Sequence, residues 1–204
     1  MATLRIPARA VKLSLFPQAS GGAARAVRSG AQRLRGLEGG LALPSFWTDP
    51  QITEAFRVAN RIWAQAEIEF APVAIAAGSA VVPADEDGMW IALVNQLSPR
   101  RGIAAGFVHD LPSNEGGWGG GRIAIVAGQK AEGALEGYRG RILAHELGHI
   151  LLGDGHETAS PSNLMFDRRH PRVVSADLLE RGQIDRARAR AQSLSIPEPS
   201  GSRR

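Results

Sequence analysis

His145-Glu146-Leu147-Gly148-His149-Ile150-Leu151-Leu152-Gly153-Asp154-Gly155-His156 is the stretch on which the reading of this chain turns. On a helix, residues four apart lie on one face about one turn apart. His145 and His149 therefore present their imidazoles to a common point. Zinc suits such a pair, because it accepts nitrogen and oxygen ligands in a tetrahedral site. Glu146 projects beside them, where a carboxylate reaches a metal-activated water rather than the metal and serves as its general base. Two His and a Glu in an otherwise apolar helix are costly to bury without partners, and a metal removes that cost. The pair leaves the coordination incomplete. His156 is the natural third ligand, because Gly153 and Gly155 flank Asp154 and let the chain leave the helix and turn back. Asp154 and Glu157 are the alternatives, since zinc also takes carboxylates. His109 and His170 read as surface or structural residues, although His170 can approach from the segment after Met165.

The rest of the composition narrows the chemistry further. The 204 residues include no Cys and five His. Disulfides, Cys-ligated zinc, iron–sulfur clusters and thiol nucleophiles are excluded together, so a transition-metal site has only His, Asp and Glu to draw on. The chain is 44% hydrophobic and 22% charged, a globular composition suited to one domain. We expect residues 1–204 to form it, with 1–152 carrying the site helix and 153–204 a small C-terminal part. No apolar run approaches the roughly 18–20 residues of a membrane span. The net charge of +4 is modest, and Arg25, Arg28, Arg33 and Arg35 lack interleaved aromatics. Base-stacking platforms need aromatics, so the cluster reads as a basic loop and no nucleic-acid partner is expected. Residues 1–16 spread Arg5, Arg9 and Lys12 through the segment, which does not match a secretory signal. The expectation is a cytoplasmic location or export by a non-classical route.

Outward from the site helix, elements can be placed along the chain. Val11, Leu13 and Leu15 alternate with polar residues, predicting a half-buried strand. Residues 17–44 read as a long loop. Thr48-Asp49-Pro50 starts a helix whose apolar face is Ile52, Ala55, Phe56, Ala59, Ile62, Trp63 and Ala66. Ile68 to Ile75, Trp90 to Val94, Ile103 to Val108 and Ile123 to Val126 are predicted strands. A turn is expected at residues 85–88 and a glycine-rich loop around Trp118. The site helix is predicted from about Tyr138 to Leu152, and a last helix from near Ser175.

The quoted stretch, followed by Ser162-Asn163-Leu164-Met165, resembles the metzincin clan of zinc metallopeptidases, whose signature is H-E-x-x-H-x-x-G-x-x-H plus a downstream Met-turn. The run Ala59-Asn60-Arg61-Ile62-Trp63 into Ile68 and Phe70 is similar to the first helix and strand of bacterial matrixin-like proteins, and Gly182-Gln183 and Ala187-Arg188 are similar to their closing helix. This chain departs from the signature by one inserted residue: Gly153 is four and His156 seven beyond His149. The resemblance implies His145, His149 and His156 as zinc ligands, Glu146 as base and Met165 as the apolar floor. Some clan members carry Tyr two residues beyond the Met. Asp167 stands there, and the only Tyr is Tyr138, so zinc and a backbone donor are left to bind the oxyanion.

The fold so implied is α+β, zincin-like: a twisted, mostly parallel sheet of four or five strands, an antiparallel edge strand, two main helices and a C-terminal helix. The clan binds peptides along that edge by β-augmentation. We expect the edge at Gly102, Ile103, Ala104, Ala105, Gly106, Phe107, Val108 and His109. The function expected is that of a monomeric zinc-dependent endopeptidase acting on protein or peptide substrates. The alternatives are hydrolysis of a non-protein amide or a very narrow substrate, and a zinc-stabilised binding module whose catalysis has lapsed.

Overall fold

The computed structural model describes residues 2–17, 45, 47–83, 86–109, 111, 116–128, 138–153, 155–166 and 177–195. Of the expected loop at 17–44, Pro17 ends the first strand instead; the rest of it, together with Asp154, Asp167, His170 and Ser175, lies outside the described residues. Five strands and four α-helices occur among the described residues, in the order β1 (Leu4–Pro17), α1 (Asp49–Trp63), β2 (Ile68–Val82), α2 (Glu86–Leu97), β3 (Ile103–Val108), β4 (Gly117–Gly120), β5 (Ile123–Ala127), α3 (Tyr138–Leu152) and α4 (Arg181–Leu194). The strands form one sheet in the order β2-β1-β3-β5-β4. β1 runs parallel to β2 and β3, and β3 parallel to β5, while β4 alone is antiparallel, to β5. The fold is thus the expected α+β type, with a mostly parallel sheet and an antiparallel edge.

The sheet is buried on both faces by helices, as parallel strands joined by crossovers require. Ile6, Ala8 and Ala10 of β1 join α1, α3 and α4 in one core. Val11, Leu13 and Leu15 of the same strand face the opposite way, into a second core under α2. α1 begins as expected. Thr48 Oγ1 accepts from the Gln51 N–H while Gln51 Oε1 accepts from the Thr48 N–H, a reciprocal capping box. Farther along α1, Asn60 exchanges two hydrogen bonds with the Phe70 backbone, at 2.8 and 2.9 Å, which locks the helix to β2.

Four expectations need correction. Trp90–Val94 is not a strand but the middle of α2, and the expected turn at 85–88 overlaps its start. Met89, Leu93 and Leu97, four apart, are buried on one face, while Ile91 is 62% exposed. β2 runs past Ile75 to Val82; its register shifts where Ala8 pairs with Pro72 and Arg9 with Ala74, leaving Val73 as the extra residue of a bulge. The glycine loop around Trp118 contains β4. The last helix begins at Arg181, with Glu180 and Gln183 forming its capping box.

A further correction concerns the edge. Gly102 to His109 do not form one. β3 lies between β1 and β5, and every residue from Gly102 to His109 is buried. A strand apolar on both faces belongs inside a sheet. The antiparallel edge is β4, the glycine strand Gly117–Gly120.

Candidate metal centre

α3 carries the first three residues of the site on an almost wholly buried helix. His145 and Glu146 are 8% and 6% exposed, His149 is half-buried, and His156 is exposed beyond the helix end. The chain leaves α3 through Gly153, whose φ of +94° is a left-handed turn suited to glycine. Its N–H donates to the His149 carbonyl at 3.1 Å, closing the last turn. The segment beyond then returns over the helix and brings His156 back to His145.

One ligating atom from each of His145, His149 and His156 lies within 4.8 Å of the others. The Nε2 atoms of His145 and His156 are 3.1 Å apart. Two nitrogens at about 2.0–2.1 Å from one tetrahedral ion lie about 3.3 Å apart, so the pair is spaced closely enough to share a metal. The tautomers agree. His145 Nδ1 lies 2.7 Å from the Leu164 carbonyl and His149 Nδ1 3.2 Å from the Gly153 carbonyl. A carbonyl only accepts, so both Nδ1 atoms carry the proton, which leaves Nε2 as the ligating atom of each ring. Three imidazoles converging this way suit a divalent transition metal.

Glu157, the carboxylate alternative, is not in the cluster. Its Oε1 accepts from the N–H groups of Thr158 and Ala159, at 2.9 and 2.8 Å. Asp154, the other alternative, is outside the described residues, as is His170. His109 is buried at the end of β3, apart from the three grouped His. Tyr138 opens α3.

Met165 is 1% exposed and packs against α3 at Gly148. A Cβ built on Gly148 would stand 2.2 Å from Met165 Sδ, so glycine there is what admits the sulfur so close. Trp63 of α1 lies on the same spot, 3.6 Å from that Cβ position through Cζ2, and donates its indole N–H to the Ala144 carbonyl at 3.0 Å.

The sequence reading missed what lies over Glu146. A Cβ on Gly117 would meet Glu146 Oε1 at 2.6 Å, and one on Gly119 would meet the Glu146 carbonyl oxygen at 2.2 Å. β4 therefore rests its bare backbone directly on the helix at Glu146. Glycine at alternate strand positions is the mark of such an approach, but the run Gly116-Gly117-Trp118-Gly119-Gly120-Gly121 hid the alternation. Trp118 points to the other side of the sheet, where its ring centroid is 5.5 Å from that of Trp90 in α2.

No protein-family model matches the sequence, and no curated protein does. Several solved structures are similar. An archaemetzincin from Methanopyrus kandleri is 15% identical over 92% of this chain and 96% of its own, with a TM-score of 0.48. A structure of a chaperone–substrate complex is 13% identical over 94% of this chain, with a TM-score of 0.51; the match spans 34% of that chain. A zinc-dependent peptidase from Methanocorpusculum labreanum is 16% identical over 69% of this chain and 94% of its own, with a TM-score of 0.39. At these identities the likeness is one of fold.

Proposed function

We propose that the chain is a zinc-dependent endopeptidase of metzincin type. The observation that carries this reading is the convergence of His145, His149 and His156, with the Nδ1 protons of both helical His turned to carbonyls and Glu146 adjacent. The buried Met165 under Gly148 supports the Met-turn, and the likeness to the matrixin-like branch rests on the α1 residues Ala59 to Trp63. A zinc ion held there supplies Lewis acidity, polarising the scissile carbonyl and making water acidic. Glu146 takes the proton of the attacking water and delivers it to the leaving amide nitrogen. β4 covers this residue, which is buried beneath the glycine backbone.

A peptide substrate is favoured over a small amide by β4. Among the described residues it ends the sheet, so one row of its N–H and C=O groups faces away from β5, and it lies on the helix at Glu146. An extended peptide adds to such an edge by main-chain hydrogen bonds. This moves the substrate strand from Gly102–His109 to Gly117–Gly120.

The test uses the full chain loaded with zinc and an unstructured protein as substrate. We expect about one zinc per chain, cleavage within the substrate, and loss of cleavage on chelation with recovery on zinc addition. Glu146→Gln should keep the zinc and lose about 10²–10⁴ in rate, the worth of a general base. Unchanged cleavage in that variant would overturn the mechanism.

A further inference from the structure

Asn163 and Gln183 form a buried amide pair between the Met165 turn and the start of α4. They are 2% and 7% exposed. Asn163 Nδ2 donates to Gln183 Oε1 at 2.9 Å, and Gln183 Nε2 donates back to Asn163 Oδ1 at 3.2 Å. Each oxygen takes a second donor: the Met165 N–H reaches Asn163 Oδ1 at 2.8 Å and the Glu180 N–H reaches Gln183 Oε1 at 2.9 Å. Two amides buried only to fill space would serve worse than apolar residues, since burying them costs free energy unless they are bonded.

The Met165 N–H and the Leu164 carbonyl belong to one peptide unit. That unit is planar and trans, so its N–H and C=O point in opposite directions. Fixing the N–H on Asn163 Oδ1 aims the carbonyl the other way, and there it accepts from His145 Nδ1 at 2.7 Å. The preceding peptide unit is held as well, where the Leu164 N–H donates to the Leu178 carbonyl at 2.8 Å. A continuous line of hydrogen bonds thus runs from the first turn of α4 through Gln183, Asn163 and the 164–165 peptide to the imidazole of His145.

We propose that Asn163 and Gln183 are positioning residues for the metal centre, setting the rotation and tautomer of His145 through the Leu164 carbonyl. This rests on the reading of His145 as a zinc ligand. Hydrogen bonds that orient a ligating imidazole are worth roughly 10–100-fold in metal affinity, and the pair exerts that effect one peptide removed.

The experiment measures zinc dissociation constants of the full chain by competition with a chromophoric chelator. It also records the visible spectrum of the cobalt(II)-loaded chain and the Tm of the metal-free chain. Gln183→Met keeps the volume and removes the hydrogen bonds. Asn163→Ala removes the acceptor for Met165. Each should weaken zinc binding roughly 10–100-fold and shift the cobalt spectrum. The double variant should be no worse than Asn163→Ala alone, because the two act in series. Arg188→Ala is the control. It frees α4 from the Ala66 carbonyl and the Glu67 carboxylate, and should lower the Tm with zinc affinity and spectrum unchanged. The proposal is overturned if Gln183→Met lowers the Tm yet binds zinc as the parent does, or if Arg188→Ala weakens zinc equally. Should Asn163→Ala not fold, Gln183→Met decides alone. A parent chain that binds no zinc would overturn the metal reading itself, and this inference with it.

Discussion

Gly119→Ala places a methyl group where the helix backbone already stands. Its Cβ would lie 2.2 Å from the Glu146 carbonyl oxygen, 2.8 Å from the carbonyl carbon and 2.9 Å from Cα. All three are backbone atoms of a buried helix, so no rotamer change relieves the overlap. Non-bonded atoms rest about 3.5 Å apart, and β4 must retreat from α3 by about 1 Å. Overpacking of this kind costs about 1–3 kcal/mol. For a chain of this length each kcal/mol lowers Tm by about 2–4 °C, so a fall of roughly 2–12 °C is expected by calorimetry. The same retreat moves the proposed substrate edge away from Glu146, and a misplacement of about 1 Å costs about 10²-fold in rate. Zinc content should not change, because no ligand lies on β4. Gly117→Ala is the internal contrast. Its Cβ would meet Glu146 Oε1, Cγ and Cδ at 2.6, 2.7 and 2.8 Å, all atoms of a side chain that can swing. It should cost less stability than Gly119→Ala while still displacing the base and lowering kcat at least about tenfold. If Gly119→Ala melts with the parent and cleaves at the parent's rate, β4 does not rest on Glu146 and the account of the cleft fails.

Two further outcomes follow from single side chains. His156→Ala should lose more zinc affinity than the roughly hundredfold that a lost supporting hydrogen bond costs, read as zinc retained per chain after dialysis; full retention would show that His156 is no ligand. Thr48→Ala removes the capping oxygen of α1, and should cost about 1 kcal/mol, or about 2–4 °C in Tm, without altering zinc content. An unchanged Tm would mean that the capping box is not formed in solution.

What was legible in the sequence was what depends on neighbours along the chain. Thr48-Asp49-Pro50 marks the start of α1 through capping chemistry local to three residues, and the four-residue spacing of His145 and His149 is a property of one helix. What was not legible depends on which strand lies beside which. The residues of β3 read as a strand, but only their apolar character on both faces, and no local motif, separates an interior strand from an edge. The hydrophobic run Trp90 to Val94 concealed the four-residue spacing of Met89, Leu93 and Leu97, because adjacent apolar residues satisfy a strand and a buried helix alike. The glycines of β4 carry little strand propensity; Gly117 and Gly119 are there for the approach of Glu146, a contact made across the fold. Asn163 and Gln183 lie 20 residues apart, and no local spacing joins them.

The seven-residue spacing of His149 and His156, one longer than in the signature the sequence resembles, shows why counting along a motif is a weaker constraint than pairing. If the third ligand were placed by distance from the helix alone, one extra residue would rotate it by about 100° or shift it by about 3.5 Å. It is placed otherwise. The Glu157 N–H, one residue beyond His156, donates to the Met165 carbonyl at 2.8 Å, and Glu157 bridges to Phe166. The same turn supplies the Leu164 carbonyl that orients His145. His156 and His145 are therefore both referenced to residues 164–166, and the glycine-flanked turn at Gly153 has only to reach that anchor. The three histidines are brought to one point by the returning C-terminal segment, which is why His156 stays grouped with His145 and His149 whatever its spacing from the helix.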